Sequence, residues 1–308
     1  MSTKVLLAVV GPTAIGKTAL GIRLAQHFDT EILSADSRQF FKEMQIGTAV
    51  PSKDELEAAP HHFIQHKSIT EPFSVGDFEK EALSLLDELF QEKEIVVMVG
   101  GSGLYVDAVI NGLDEFPEVD PEIRANLNQQ LESEGVKSLQ NELKQKDPDY
   151  YKTVDLENPH RLIRALEICR ASNRPYSSFL NRPKPERPFK SLYIGVDAPR
   201  QTIYDRINAR VDLMMEAGLL QEAQKLYPYR NLNALQTVGY KELFEYIEGQ
   251  CTLEAAISEI KKNTRRFAKR QLTWLRKNEA ISWVPHDAEP KSVLQMVTDR
   301  LKTNLYAQ

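Results

Sequence analysis

Hydrophobic positions along the chain follow two rhythms. Unbroken apolar runs, Val5-Leu6-Leu7-Ala8-Val9-Val10, Ile95-Val96-Val97-Met98-Val99 and Leu192-Tyr193-Ile194-Gly195-Val196, read as buried strands. The shorter Glu31-Ile32-Leu33, which runs into Ser34-Ala35-Asp36-Ser37, reads the same way. Elsewhere the apolar residues recur at helical spacing. Leu20, Leu24 and Phe28 form one such face, and Phe78, Leu85, Leu86 and Leu89 form another. Ser74-Val75-Gly76-Asp77 supplies a helix start for the second. Strands alternating with helices predict an α/β fold, a parallel sheet core flanked by helices, with sites at the carboxyl ends of the strands.

Residues 117–190 break that rhythm. Pro121 to Lys146 is polar with helical spacing of Ile123, Leu127, Leu131, Leu139 and Leu143, and a second helix is expected from Pro159 to Ala171. Arg182-Pro183-Lys184-Pro185-Glu186-Arg187-Pro188 then reads as a proline-rich return strap. The expected organisation is a core domain of residues 1–116 and 191–308 with a mainly helical insertion domain at 117–190. Beyond residue 198 the pattern is mostly helical, with a late strand-like Ser282-Trp283-Val284 and a last amphipathic helix.

One loop between strand and helix changes the picture from fold to chemistry. Gly11-Pro12-Thr13-Ala14-Ile15-Gly16-Lys17-Thr18 fits the phosphate-loop pattern G-x-x-x-x-G-K-[ST]. The glycines let the backbone wrap a phosphate, and the first N–H groups of the following helix point at it. Lys17 offers a point charge, and Thr18 offers a hydroxyl for Mg²⁺. The loop identifies a polyphosphate ligand without specifying ATP hydrolysis.

Further residues join it. Asp36, at the end of a strand, can coordinate Mg²⁺, serve as a general base, or simply cap a turn. Gln39 has an amide suited to a two-point contact with adenine, or it is a solvated loop residue. Gly100-Gly101-Ser102-Gly103 is a second glycine-rich turn that permits close backbone approach. Arg206 and Arg210, four apart, share a helix face that could clamp a pyrophosphate or pair with Asp205 and Asp212. Asn158-Pro159-His160-Arg161 begins a helix that presents a ring and two guanidinium groups, with Arg164 one turn on. His61, His62 and His66 read as a strand or loop cluster rather than a metal site.

Composition sets limits. The 308 residues are 42% hydrophobic and 27% charged, which is ordinary for a globular protein, and no apolar run reaches the length of a membrane span. The first strand starts at Val5, leaving no room for a signal peptide. Only two cysteines are present, Cys169 and Cys251, which argues for a reducing, cytoplasmic setting. The net charge of −5 does not advertise nucleic-acid binding, so the stretch 261–277 stands out, with eight basic residues and no acid. It reads as a tracker of phosphate backbone, with Phe267, Leu272 and Trp274 as core anchors.

Together the motifs resemble one family. The phosphate loop, Ser34-x-Asp36-Ser37, Met44-x-Ile46-Gly47-Thr48-Ala49, Val99-Gly100-Gly101-Ser102-Gly103-Leu104-Tyr105, Asn158-Pro159-His160-Arg161-Leu162 with Arg164-Ala165-Leu166-Glu167, Val238-Gly239-Tyr240 and Lys269-Arg270-Gln271-x-Thr273-Trp274 occur in the order seen in the tRNA dimethylallyltransferase family. The likeness runs over nearly the whole chain. It implies a phosphate-loop NTPase-like core and transfer of a dimethylallyl group from dimethylallyl diphosphate to N6 of the adenosine 3′ of the anticodon. It implies that Gly11 to Thr18 hold the diphosphate, that Asp36 is the general base, and that Thr18 and Arg210 act on the leaving group. It further implies RNA contacts from Asp36, Ser37, Arg38, Gln39, Ser102, His160, Arg161 and Arg164, with the anticodon stem-loop as partner. Mg²⁺ is the expected cofactor, bound by Thr18 with Asp36 as a second candidate ligand, and the chain is expected to act as a monomer. Ser102 stands where the family often has Thr, and His160 where relatives can have Gln. The rival reading from the loop alone is a small-molecule kinase using ATP.

Overall fold

A computed structural model describes residues 3–184 and 186–306. Its elements run β1 (Val5–Val10), α1 (Lys17–His27), β2 (Ile32–Ser34), α2 (Lys53–Ala58), β3 (His61–His62), α3 (Val75–Glu92), β4 (Ile95–Gly100) and α4 (Gly103–Asn111). Next come α5 (Pro121–Glu134), α6 (Val136–Lys146), α7 (Pro148–Tyr151) and α8 (Pro159–Ser172). The chain then continues through β5 (Lys190–Asp197), α9 (Arg200–Glu216), α10 (Leu219–Leu226), α11 (Tyr240–Ile247), α12 (Leu253–Leu275), β6 (Ile281–Pro285) and α13 (Pro290–Tyr306).

The six strands form one sheet in the order β3-β2-β4-β1-β5-β6, and every pairing is parallel. Alternate residues of β1 feed opposite faces, as strand geometry requires. Val5, Leu7 and Val9 pack with residues of α1, α9 and α13. Leu6, Ala8 and Val10 pack with residues of α3 and α4. Both sheet faces are therefore covered, which explains why β1 is buried at every position. Val10 lies opposite Gly100 of β4 and Gly195 of β5, so the carboxyl ends of three strands come level beside the phosphate loop. A third cluster, around Tyr240, Leu243 and Leu219, joins α10, α11 and the first half of α12.

The chain divides into two compact units, Met1–Asn111 with Arg187–Gln308, and Gly112–Glu186. The divisions thus fall at 112 and 186, where the sequence pattern suggested 117 and 190. The second unit has its own core of Leu127, Leu139, Leu143, Leu162 and Leu166. Its first helical stretch is two helices rather than one. Gly135 adopts φ 76° and ends α5 while starting α6, so the continuous apolar spacing conceals a break that only the glycine marks. The two-residue β3 at the sheet edge is likewise too short to carry a period of its own.

Candidate functional site

Local geometry makes the phosphate loop a concave surface of backbone. At Gly11, a Cβ would meet the Val196 carbonyl oxygen at 2.6 Å, so only glycine lets the chain leave β1 beside β5. Gly16 sits at φ 105° as the N-cap of α1, without a side-chain cap, which leaves the first N–H groups of the helix for a ligand. Two distant residues brace the loop. Arg206 donates from Nε to the Ala14 carbonyl at 2.7 Å. Gln271 of α12 accepts the Thr13 N–H at 2.9 Å and donates to the Gly101 carbonyl at 2.8 Å, tying both glycine-rich turns to one helix.

A cavity of about 470 Å³ opens over this loop. Thr13 to Thr18, Asp36, Arg38, Gln39, Arg206 and Arg210 all line it. Of the expected diphosphate-binding residues, Gly11 and Pro12 are the two outside its wall. Four cationic side chains, Lys17, Arg38, Arg206 and Arg210, face two carboxylates, Asp36 and Glu55, in a chain of net charge −5. The Lys17 ammonium donates to the Pro12 carbonyl at 2.8 Å. Burial pushes its pKa down to about 8, with Asp36 opposing the drop and Arg210 adding to it. Burial also pulls Arg210 below its ordinary value, with Arg206 adding and Asp36 opposing. Arg210 makes no hydrogen bond or ion pair among the described residues. A desolvated cation left without an anion is poised for one from outside. An apolar wall of Val211, Met214, Leu219, Val238, Ile260 and Phe267 completes the same cavity.

Asp36 leaves the end of β2 with its Oδ1 accepting the Arg38 N–H at 3.2 Å. The Arg38 guanidinium lies 4.3 Å from the centre of the Phe267 ring. Gln39, half-buried at the cavity wall, is tied to the protein at both ends of its amide: Nε2 donates to the Ala49 carbonyl at 2.8 Å, and Oε1 accepts from Ser34. Ser37 and Ser102 lie outside the cavity wall and bond to each other, with hydroxyl oxygens 3.2 Å apart. His160, Arg161 and Arg164 belong to the second unit. His160 and Arg161 are exposed, whereas Arg164 and Arg124 both pair with the buried Glu167. Arg164 therefore neutralises a buried carboxylate while its own side chain stays 43% exposed.

The structure also corrects the reading of the basic stretch. Lys261 pairs with Asp212, Lys262 with Glu259 and Arg276 with Asp197, and Arg265 donates to Asn208. The neutralising carboxylates of Asp212 and Asp197 come from elsewhere in the fold, where the local sequence gives no sign of them. Arg266, Lys269, Arg270 and Lys277 are exposed, without ion pairs among the described residues. Leu272 packs on the core, but Trp274 is 43% exposed and is no core anchor.

Glu222 carries no signal in its own sequence neighbourhood. Its carboxylate accepts the N–H groups of Gln45, Ile46 and Gly47 and the Tyr240 hydroxyl, which fixes the loop supplying Gly47 to Ser52 to the cavity. Gln271 falls inside a family motif, but the spacing of that motif says nothing of its bracing role. The donors suited to Mg²⁺ are the Thr18 hydroxyl and the Asp36 carboxylate. That sparse oxygen set fits a cation that takes one or two protein ligands and completes its shell with substrate phosphates and water.

Comparison with known proteins places the chain in a family. A family profile described as IPP transferase matches residues 39–278. A tRNA dimethylallyltransferase from Christiangramia forsetii is 62% identical, covering 97% of this chain and 99% of its own length. The tRNA isopentenylpyrophosphate transferase of Bacillus halodurans superposes with a TM-score of 0.73 at 37% identity, covering 97% of both chains. A eukaryotic dimethylallyltransferase acting on tRNA superposes with a TM-score of 0.83 at 25% identity, covering 98% of this chain and 80% of that one. The kinase reading finds no support among them. The profile begins after the phosphate loop, but these relatives extend across it, and over its full length the chain belongs to the IPP transferase family.

Proposed function

We propose that this protein transfers a dimethylallyl group from dimethylallyl diphosphate to N6 of an adenosine beside the anticodon of tRNA, releasing diphosphate. One observation carries the reading. A single cavity holds desolvated cations, an apolar wall and a carboxylate at a strand end. An amphiphilic allylic diphosphate matches the first two features, and an amino nucleophile that must lose a proton matches the third.

In this reading the phosphate loop, Lys17 and Arg210 hold the diphosphate, and the side chains from Val211 to Phe267 receive the five-carbon tail. The adenosine leaves its stack to reach the cavity. N6 forms a bond to the first allylic carbon as the carbon–oxygen bond to diphosphate breaks. The bonding electrons leave with the diphosphate, whose charge Lys17 and Arg210 meet. Asp36 accepts the proton that N6 gives up. The Thr18 hydroxyl, with Asp36 as a second candidate ligand in the same cavity, would hold Mg²⁺, which when bound would supply Lewis-acid neutralisation of the diphosphate. Gln39 holds the Thr48–Ala49 backbone in place. Arg38, braced by Phe267, borders the base. His160 and Arg161 contribute RNA contacts from the insertion.

Asp36→Asn tests the assignment. The amide keeps the shape but takes no proton, so single-turnover transfer to tRNA should fall by roughly 10²–10⁴. Stem-loop affinity should stay within a few fold. A near-normal transfer rate would remove Asp36 from the reaction, and failure of the wild-type chain to add a prenyl mass to tRNA would remove the reading itself.

A further inference from the structure

A second cavity, of about 710 Å³, lies in the same unit beside α4, β5 and the end of α12. The transfer chemistry uses none of its residues. Trp274, 43% exposed, borders it with a large aromatic ring open to a partner. The ring is fixed in orientation. Its Nε1–H donates to Asp107 at 2.8 Å, and it lies so close to Gly103 that a Cβ there would collide with it. Tyr193 also lines the cavity. It is only 5% exposed, and its hydroxyl makes no hydrogen bond of regular geometry, although the Asn111 and Asn278 amides lie close to it. Burial pushes that phenol up to about 12, so the group stays a neutral donor. Asn111 and Asn278 border the cavity themselves, and its charged groups are Lys277, Glu279 and Asp107, the last of which accepts the indole N–H.

The exposed side of α12 that leads to Trp274 favours a polyanion. Lys269, Arg270 and Lys277 follow Arg266 at spacings of three, four and eleven, which gathers the four on one exposed side of α12 and the turn just beyond it. The same helix carries Thr264 and Phe267 into the wall of the catalytic cavity. From Phe267 to Trp274 is about two turns, or roughly 10 Å along the axis. One rigid element therefore connects the reacting site to the exposed indole.

We propose that this second cavity is a nucleotide subsite, in which Trp274 stacks an unpaired base of the RNA close to the one entering the catalytic cavity. Lys277 meets its phosphate, and Asn111 and Asn278, backed by the buried Tyr193 hydroxyl, offer hydrogen bonds to the base or ribose. A stacked aromatic platform beside basic side chains is how proteins hold single-stranded nucleotides. The inference rests on the RNA-modifying reading above and extends it to a place outside the catalytic cavity.

The chain has two tryptophans, so Trp283→Phe leaves Trp274 as the sole indole. Its emission should be quenched on titration with an anticodon stem-loop RNA. Trp274→Leu should raise the stem-loop Kd about 5- to 150-fold, the range expected when one base no longer stacks on an aromatic ring. Trp274→Phe should recover most of that affinity, and the KM for dimethylallyl diphosphate should not move in either variant. A melting curve checks that Trp274→Leu is folded, and the quenching measurement stands if it is not. Absence of quenching together with an unchanged stem-loop Kd in a folded Trp274→Leu protein would overturn the subsite while leaving the prenyl-transfer reading intact. A wild-type chain that neither binds nor prenylates the stem-loop would overturn both.

Discussion

Glu222 holds Gly47 by its backbone. The Glu222 Oε1 accepts the Gly47 N–H at 2.9 Å and the Tyr240 hydroxyl at 2.7 Å, while Oε2 takes the N–H groups of Ile46 and Gln45 at 2.8 and 3.1 Å. Tyr240 packs so closely on Gly47 that a Cβ at Gly47 would meet the Tyr240 hydroxyl at 2.6 Å. Burial, and then the Glu222 charge, push the Tyr240 phenol far above its ordinary value, so it remains a donor at any working pH. One carboxylate thus joins α10, α11 and a wall of the catalytic cavity.

Replacing it should disturb the wall before the fold. In Glu222→Gln one oxygen becomes an NH₂ that cannot accept, leaving at least one donor of the set unsatisfied at roughly 1–3 kcal/mol. The expected outcome is a lower melting temperature and a raised KM for dimethylallyl diphosphate, with stem-loop affinity retained. Tyr240→Phe, which removes a single bond to Glu222, should show the same pattern more weakly. An unchanged KM in both variants would make Glu222 a purely structural anchor.

Lys17 predicts a pH signature. Its pKa of about 8 lies below the unfolded value of 10.5, so the unfolded chain holds more protons between these values. The stability of the ligand-free protein therefore gains from Lys17 as pH rises from about 8 towards 10.5, and below 8 the buried charge is a cost. A bound diphosphate favours the protonated form and reverses the preference. Calorimetry of pyrophosphate binding near pH 8, in buffers of different ionisation enthalpy, should reveal an uptake of roughly half a proton that Lys17→Arg abolishes. Equal uptake in wild type and Lys17→Arg would assign the proton to the ligand alone.

Features that depend on local pattern are legible in the sequence. The phosphate loop combines a fixed spacing with flanks of opposite periodicity, which places Lys17 and Thr18 without any knowledge of the fold. Asp36 stands out because a buried run ends just ahead of it, and Arg210 because Arg206 lies one turn away. Glu222 and Gln271 are different. Each acts on backbone groups 170 or more residues away, Glu222 on Gln45 to Gly47 and Gln271 on Gly101 and Thr13, and a bond to an amide leaves no side-chain signature. The charges of α12 are hard to read for a related reason. Asp212 and Asp197, which neutralise Lys261 and Arg276, lie on α9 and β5. Trp274 escapes because apolarity predicts burial on average, and its exposure is an individual exception.

The exposed side of α12 separates free cations from paired ones. Arg266, Lys269 and Arg270 lie on it without carboxylate partners among the described residues, whereas Lys261 and Lys262 are paired with Asp212 and Glu259. Free surface cations release counterions on meeting RNA phosphates, and paired ones have already been neutralised. Changing Arg266, Lys269 and Arg270 together to Gln should weaken stem-loop binding. It should also flatten the slope of log affinity against log salt by about one unit for each phosphate no longer engaged. Changing Lys261 and Lys262 to Gln should lower the melting temperature slightly and leave that slope near its original value. The chemical step on bound RNA should proceed at its usual rate in both variants, since neither group borders the catalytic cavity. The measurement is fluorescence anisotropy of a labelled stem-loop at several salt concentrations. If the two variants flatten the slope equally, pairing within the fold does not decide which cations RNA uses. If neither does, RNA is held without this helix, and the insertion with His160 and Arg161 carries the contact.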